Sequence, residues 1–413
     1  MKSILRSAIP ICALIAGLVW STASLADETV DTESSSIVAD GSRLAGDEKR
    51  TRFVVDLDRH LDFHVFALAD PYRVVIDMPQ TEFRLDETAG ETGRGLVSAY
   101  RFGRFAPGKS RIVLDVTGPV EVDRAFALEP QDDQPARLVV DLVDTDRESM
   151  LAAINGPPDT GEATSQPDPH AHTAVPPGGG QAAETIAVVL DPGHGGIDPG
   201  AVSRSGVREK DVVLEFAQQL RSALEDTGRF EVHMTREDDI FVSLADRVRF
   251  AREQRASLFI SIHADSVARG AVSGASVYTL SERASDAVAA ELAAQENRSD
   301  ALAGIDLSNG GDEVADILLD LVHRETKKHS TVFARTLVDY LRDEVSLVRN
   351  PLRAAGFRVL EAHDVPSVLV ELGYLTSETD EQLLTDPDWQ ESVADRVTEA
   401  VMAYFGERHA RRP

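Results

Sequence analysis

Ile186-Ala187-Val188-Val189-Leu190-Asp191-Pro192-Gly193-His194-Gly195-Gly196 runs from an apolar segment straight into a turn of Pro and Gly. Five apolar residues bounded by turn formers read as a strand buried on both faces. A histidine on such a turn is held by rigid backbone, and glycines on both sides allow close approach. Downstream, strands and helices alternate. Strands are expected at 230–235, 257–263, 275–280, 357–361 and 367–371. Helices are expected at about 209–227, 244–255, 326–346 and 388–405, with Ser243 capping the second. The helix that Glu209 opens carries Val213, Phe216, Leu220 and Leu224 on one face. This rhythm predicts an α/β domain with a mostly parallel sheet covered by helices. Sites in such sheets lie at the carboxyl ends of the strands. His194, His263 and Glu371 all fall at strand ends.

His194, Glu209 and His263 stand 15 and 54 residues apart, so tertiary structure must bring them together. Two histidines and one carboxylate are the donor set of a catalytic zinc, with a fourth position left for water. Glu371 closes the otherwise apolar run Ser367-Val368-Leu369-Val370. A carboxylate there either has a chemical task, caps the following turn or forms a salt bridge. Asp191 is expected to orient the His194 turn or to support a ligand histidine, and Asp265 likewise. His233 is expected on a strand face.

Upstream, one six-residue pattern recurs four times. It reads Arg52-Phe53-Val54-Val55-Asp56-Leu57, Arg73-Val74-Val75-Ile76-Asp77-Met78, Arg111-Ile112-Val113-Leu114-Asp115-Val116 and Arg137-Leu138-Val139-Val140-Asp141-Leu142. Period two puts Arg and Asp on one strand face and three apolar residues on the other. Turn formers such as Asp70-Pro71 and Gly118-Pro119 separate the runs. Residues 50–145 are therefore expected to form an all-β sandwich, each Arg and Asp solvating an outer face that as a whole could bind an extended polymer. Residues 27–49 read as a polar lead-in. Residues 146–184, with Pro176-Pro177 and Gly178-Gly179-Gly180, read as a disordered linker.

Lys2 and Arg6, an apolar run from Ile9 to Trp20 and the small-residue site Ser24-Leu25-Ala26 make residues 1–26 a secretory signal peptide. The single cysteine, Cys12, lies inside it. The exported chain then has no disulfide, and a metal must be held by His, Asp or Glu. With 70 acidic and 42 basic residues, the chain lacks the basic balance that a nucleic-acid partner requires. Beyond residue 26 no run is long and apolar enough to span a membrane as a helix.

Asp191-Pro192-Gly193-His194-Gly195-Gly196, Glu209-Lys210-Asp211, Ser261-Ile262-His263-Ala264-Asp265 and Val370-Glu371-Leu372-Gly373-Tyr374 together carry a resemblance. The segment 185–408 resembles the zinc-dependent N-acetylmuramoyl-L-alanine amidases that cleave peptidoglycan. The β domain resembles the AMIN domain of the Gram-negative periplasmic members. The resemblance implies Zn²⁺ on His194, Glu209 and His263, and Glu371 as catalytic base and acid. It implies a periplasmic location and a sandwich that binds peptidoglycan. Arg236 and Arg247 occupy positions usual in the family and are expected to form structural ion pairs. The family's periplasmic members also imply a regulatory insertion, here 281–325, whose Glu blocks the metal until a LytM-domain activator displaces it. Glu296 fits that role best, with Glu291 as substitute. The two are five residues apart, so one helix cannot aim both at the metal. Glu361 stands where the family leads one to expect Lys. Two other readings share part of these features: a catalytically dead wall-binding scaffold, and a zinc carboxypeptidase or endopeptidase of wall peptides.

Overall fold

The computed structural model describes residues 36–86, 88–131, 134–155, 185–266, 272–305 and 317–410. The expected signal peptide lies outside the described residues, as does most of the expected linker.

The N-terminal part is a sandwich of nine strands: β1 (Ile37–Gly46), β2 (Arg50–Leu57), β3 (His64–Leu68), β4 (Arg73–Pro79), β5 (Thr81–Phe83), β6 (Val97–Ala106), β7 (Lys109–Val116), β8 (Val120–Leu128) and β9 (Ala136–Asp144). One sheet has the order β5-β1-β2-β9-β8 and the other β3-β4-β7-β6. The apolar residues of the four repeats meet between the sheets: Phe53, Val55 and Leu57 of β2, Val74, Ile76 and Met78 of β4, Ile112 and Leu114 of β7, and Leu138, Val140 and Leu142 of β9. Antiparallel register then sets each repeat's Arg opposite a neighbour's Asp, as with Arg52 and Asp141 or Asp77 and Arg111. Both pairs form ion pairs at 2.6 Å.

Two expectations need correction here. The lead-in reading of 27–49 is overturned from Ile37 onward, because β1 pairs along β2 despite Gly41 and a bulge between Ala39 and Gly41. The linker reading is overturned at its start, because Arg147–Asn155 form helix α1. Asp146 caps it by accepting from Ser149 N at 2.9 Å, and Met150 is buried.

The second part is α/β. Its elements are β10 (Ile186–Pro192), α2 (Glu209–Asp226), β11 (Phe230–Met234), α3 (Leu244–Glu253), β12 (Leu258–His263), β13 (Ala275–Leu280), α4 (Ala287–Glu296), α5 (Ser299–Leu302), α6 (Ile317–Leu341), β14 (Leu347–Ala355), β15 (Ser367–Glu371), α7 (Glu378–Leu384) and α8 (Pro387–Ala410). Strand order is β11-β10-β12-β15-β13-β14. Every neighbouring pair is parallel except β13 with β15. Alternate residues face opposite layers: Val188, Leu190, Ile260 and Val368 meet α2, α6 and α8, while Val189, Phe259, Tyr278 and Leu369 meet α3 and α4. The strand expected at 357–361 is instead a single 3-10 turn, Arg358–Leu360. The strand in that region is β14, hidden in the sequence by Pro351 and tolerated because β14 is an edge strand. Among the described residues no helix is long and apolar enough to cross a membrane.

Candidate metal centre and active site

Register places the site. Pro192 of β10 lies beside Ile262 of β12, and His263 of β12 lies beside Glu371 of β15. Three adjacent parallel strands therefore end together, and their last side chains converge. The chain leaves β10 through Gly193, whose amide donates to Ile262 O at 3.0 Å. A Cβ on Gly193 would sit 2.4 Å from the His263 ring, so only glycine lets the two histidines approach. His194 follows with φ 56°, a left-handed residue held by its surroundings. Arg247 donates to His194 O at 2.7 Å and Arg236 to Gly193 O at 2.8 Å. Glu209 enters from the first turn of α2, its backbone amide bonded to Ala201 O.

His194, Glu209, His263 and Glu296 are all buried. His194 Nε2 lies 3.2 Å from Glu209 Oε2 and 3.5 Å from Glu296 Oε2. His263 Nδ1 lies 3.2 Å from Glu209 Oε1 and 3.2 Å from Glu296 Oε2. A tetrahedral zinc with bonds near 2.0 Å has donor-to-donor edges of about 3.3 Å. The four histidine-to-carboxylate separations are of that size. The polar bookkeeping agrees for one donor: His194 Nε2 is buried without a hydrogen-bond partner. His194, His263 and Glu296 form the metal-compatible cluster found among the described residues. Glu291 is exposed and does not reach this centre.

The electrostatics are those of crowded acids around two rings. Burial opposes a charge on His194, but Glu209, Asp198 and Glu296 overcome it and raise its pKa well above the usual histidine value. Burial also opposes ionisation of Glu209, yet His194 and His263 hold its carboxyl well below the usual range. Burial pushes Glu296 far upward against the pull of His194. Burial raises Glu371 strongly, and the charges of Asp265, Glu209 and Glu296 add to it. Asp265 is pushed up to about 7 by burial and by Glu209. A divalent cation among these groups would replace the protons they otherwise take up.

Glu371 accepts from Asp265 N at 3.1 Å through Oε2, leaving Oε1 unpartnered. Asp191 does not support a ligand histidine. It accepts from Arg247, Thr235 and Ser261 and so braces the turn from behind. The expected ion pair of Arg247 is with Asp191, at 2.6 Å. Arg236 instead donates to the carbonyls of Pro192, Gly193, Lys210 and Asp238, and burial together with Arg247 lowers its pKa to about 10.

The histidine's partner is a residue that sequence reasoning missed. Asp198 Oδ2 meets His194 Nδ1 at 2.9 Å and turns Nε2 inward. Burial would raise its carboxyl, but His194 and Ser299 hold it at about 2. The signal was present four residues after His194. Space over the two rings is narrow, with walls supplied by Leu244, Val359 and three residues that follow β13: Glu296, Asn297 and Ser299.

A family profile described as N-acetylmuramoyl-L-alanine amidase matches residues 188–403, and an AMIN domain profile matches residues 42–142. The chain is 36% identical over 366 residues to the N-acetylmuramoyl-L-alanine amidase AmiC of Escherichia coli, covering 86% of this chain and 87% of that one. It is 40% identical over 219 residues to AmiA of Escherichia coli, covering 53% of this chain and 75% of that one. Among solved structures, the catalytic domain of the amidase CwlV of Paenibacillus polymyxa aligns at 28% identity and TM-score 0.41, covering 54% of this chain and 99% of that one.

Proposed function

This chain belongs to the N-acetylmuramoyl-L-alanine amidase family, which hydrolyses the amide joining N-acetylmuramic acid to L-alanine in peptidoglycan, and we propose that it does so at a zinc held by His194 Nε2, Glu209 and His263 Nδ1. The observation that carries this reading is that His194 Nε2 and His263 Nδ1 each lie 3.2 to 3.5 Å from buried carboxylate oxygens of Glu209 and Glu296. Zinc, when bound, supplies a Lewis acid that acidifies water and polarises a carbonyl.

The remaining work falls to the chain's own groups. Asp198 keeps the His194 ring in the orientation that offers Nε2. Glu209 is anchored by the amides of Ala201 and Ala264, at 2.8 and 2.9 Å, so its position does not depend on the cation. Glu371 sits beside His263 at the end of β15 with one oxygen uncommitted. It takes a proton from the attacking water and delivers it to the leaving L-alanine amine.

Glu296 takes the fourth donor position, so the chain as folded here is a closed form. Gln295 and Ser299 extend the closure by donating to Asp265 and Asp198. Opening requires a partner that binds the open form better than the closed one. The proposed partner carries a LytM domain and acts in the periplasm during cell separation, after export through residues 1–26. The sandwich binds peptidoglycan and places the enzyme on the wall. The test is dye release from labelled sacculi without any partner. Glu296→Ala should release dye faster than the wild type. Equal low rates would remove Glu296 from this role, and products with free D-alanine instead of a free L-alanine amine would remove the amidase reading.

A further inference from the structure

The Arg and Asp residues of the four-stranded sheet do not solvate an outer face. Arg73, Val75 and Asp77 of β4, Arg111, Val113 and Asp115 of β7, and Arg101, Gly103 and Phe105 of β6 share one surface. The chain just beyond Glu296 lies on it. Arg73 Nη1 donates to Ala301 O. Arg101 Nε donates to Leu302 O at 2.7 Å. Arg111 Nη1 donates to Ala303 O at 3.0 Å and Gly304 O at 3.1 Å. Four successive carbonyls are thus taken by guanidiniums from three strands.

The acids of the repeats aim these arginines. Asp77 holds Arg111 through Nε and Nη2, at 2.6 and 2.9 Å, which leaves Nη1 for the carbonyls. Asp115 holds Arg101 Nη2 at 2.6 Å, which leaves Nε. Apolar contact completes the seat. Val75, Val113 and Leu68 pack with Ala303, Ile197 and Phe241. A Cβ on Gly304 would stand 2.9 Å from Val75 and 3.1 Å from Val113. The same sheet touches the metal turn itself, since Phe241 N donates to Arg104 O at 3.3 Å and Gly103 lies against Gly196.

We propose that the four-stranded sheet is a clamp that holds the Glu296 segment over the metal centre, so the sandwich restrains the enzyme as well as addressing it. This rests on the reading of Glu296 as the blocking group. The clamp reaches that residue through a short continuous path. Ala301 to Gly304 are seated on the sheet, Ser299 is bonded to Asp198, and Glu296 is one helical end away.

The test uses the full chain. Basal dye release from sacculi is measured for wild type, Glu296→Ala, Arg111→Ala and Gly304→Asn, together with amide hydrogen exchange of residues 295–305. Gly304 has φ +73°. Asparagine tolerates that conformation but projects a side chain into Val75 and Val113, and it leaves the sandwich unaltered. The clamp predicts that Arg111→Ala, which loses two charge-assisted hydrogen bonds, and Gly304→Asn, which loses the fit against Val75 and Val113, each raise basal release about tenfold or more. It also predicts faster exchange at 295–305 and no further gain when either is combined with Glu296→Ala. If Glu296→Ala is fast while both clamp variants, folded by circular dichroism, keep wild-type rates and exchange, the clamp is wrong and the plug stands. If Glu296→Ala is no faster than wild type, the plug is wrong, and unchanged exchange in Gly304→Asn then overturns the clamp separately.

Discussion

Replacing Asp191 with Asn removes one charge from the least accessible part of the metal turn. Asp191 is fully buried and uses both oxygens: Oδ1 accepts from Arg247 and Thr235 at 2.6 Å each, and Oδ2 from Ser261 at 2.7 Å. An asparagine keeps the shape and one acceptor. It leaves the buried Arg247 without its counter-charge, and breaking a buried pair costs about 3 to 5 kcal/mol. Arg247 keeps three carbonyl partners, Val242, Pro192 and His194, so the lower end of that range applies. About 3 kcal/mol lowers the melting temperature of a domain this size by roughly 6 to 12 °C. Because Arg247 also holds His194 O, metal affinity should fall about 10- to 100-fold.

The pH dependence follows from the same contacts. Burial alone would raise the Asp191 carboxyl, but Arg247 and the two hydroxyls hold it below its ordinary value. Its stabilisation is therefore complete above the unfolded pKa of about 3.9 and is lost as pH falls through the folded pKa. Differential scanning calorimetry of wild type and Asp191→Asn, both stripped with chelator, should show the full gap at pH 7. The gap should narrow once the pH drops below about 4. A gap under 2 °C at pH 7, or one that persists unchanged at pH 3, would refute this reasoning.

Asp198→Asn should weaken zinc binding about 10- to 100-fold by isothermal titration without unfolding the chain, since the ring loses its orienting partner; unchanged affinity would show that the turn alone positions His194. Glu371→Gln should keep stoichiometric metal by mass spectrometry and lose about 100- to 10,000-fold in turnover in the Glu296→Ala background; a normal rate would assign the proton transfers elsewhere. Titrating zinc into the stripped protein should release protons, and affinity should rise with pH, because the raised His194 and Glu296 must lose theirs to bind; pH-independent affinity between 6 and 8 would contradict that protonation state.

Much of the candidate site was legible because each of its residues sits in a distinctive local frame. His194 follows a buried strand into a Gly-rich turn, Glu209 opens an amphipathic helix, and His263 and Glu371 end apolar strands. The orienting residue Asp198 was not found, although it lies only four residues from His194, because the turn formers around it read as loop. β14 was obscured by Pro351, which its edge position tolerates, and β1 by glycines and polar residues, whose weak strand propensity is overridden by pairing with β2 and β5. The four Arg-Asp repeats were visible, two in each sheet. What the face of β4 and β7 holds was not, because the contacts from Arg73, Arg101 and Arg111 to Ala301–Gly304 span about two hundred residues of sequence. No local pattern encodes a partner so distant.

The central claim is a zinc held by His194, Glu209 and His263 and closed by Glu296. Anomalous diffraction at the zinc edge from crystals of the full-length protein tests it most directly. The account predicts one strong peak bounded by His194 Nε2, His263 Nδ1 and the carboxylates of Glu209 and Glu296. Zinc-soaked crystals with no peak at that position, or with a peak that excludes Glu209, would contradict it.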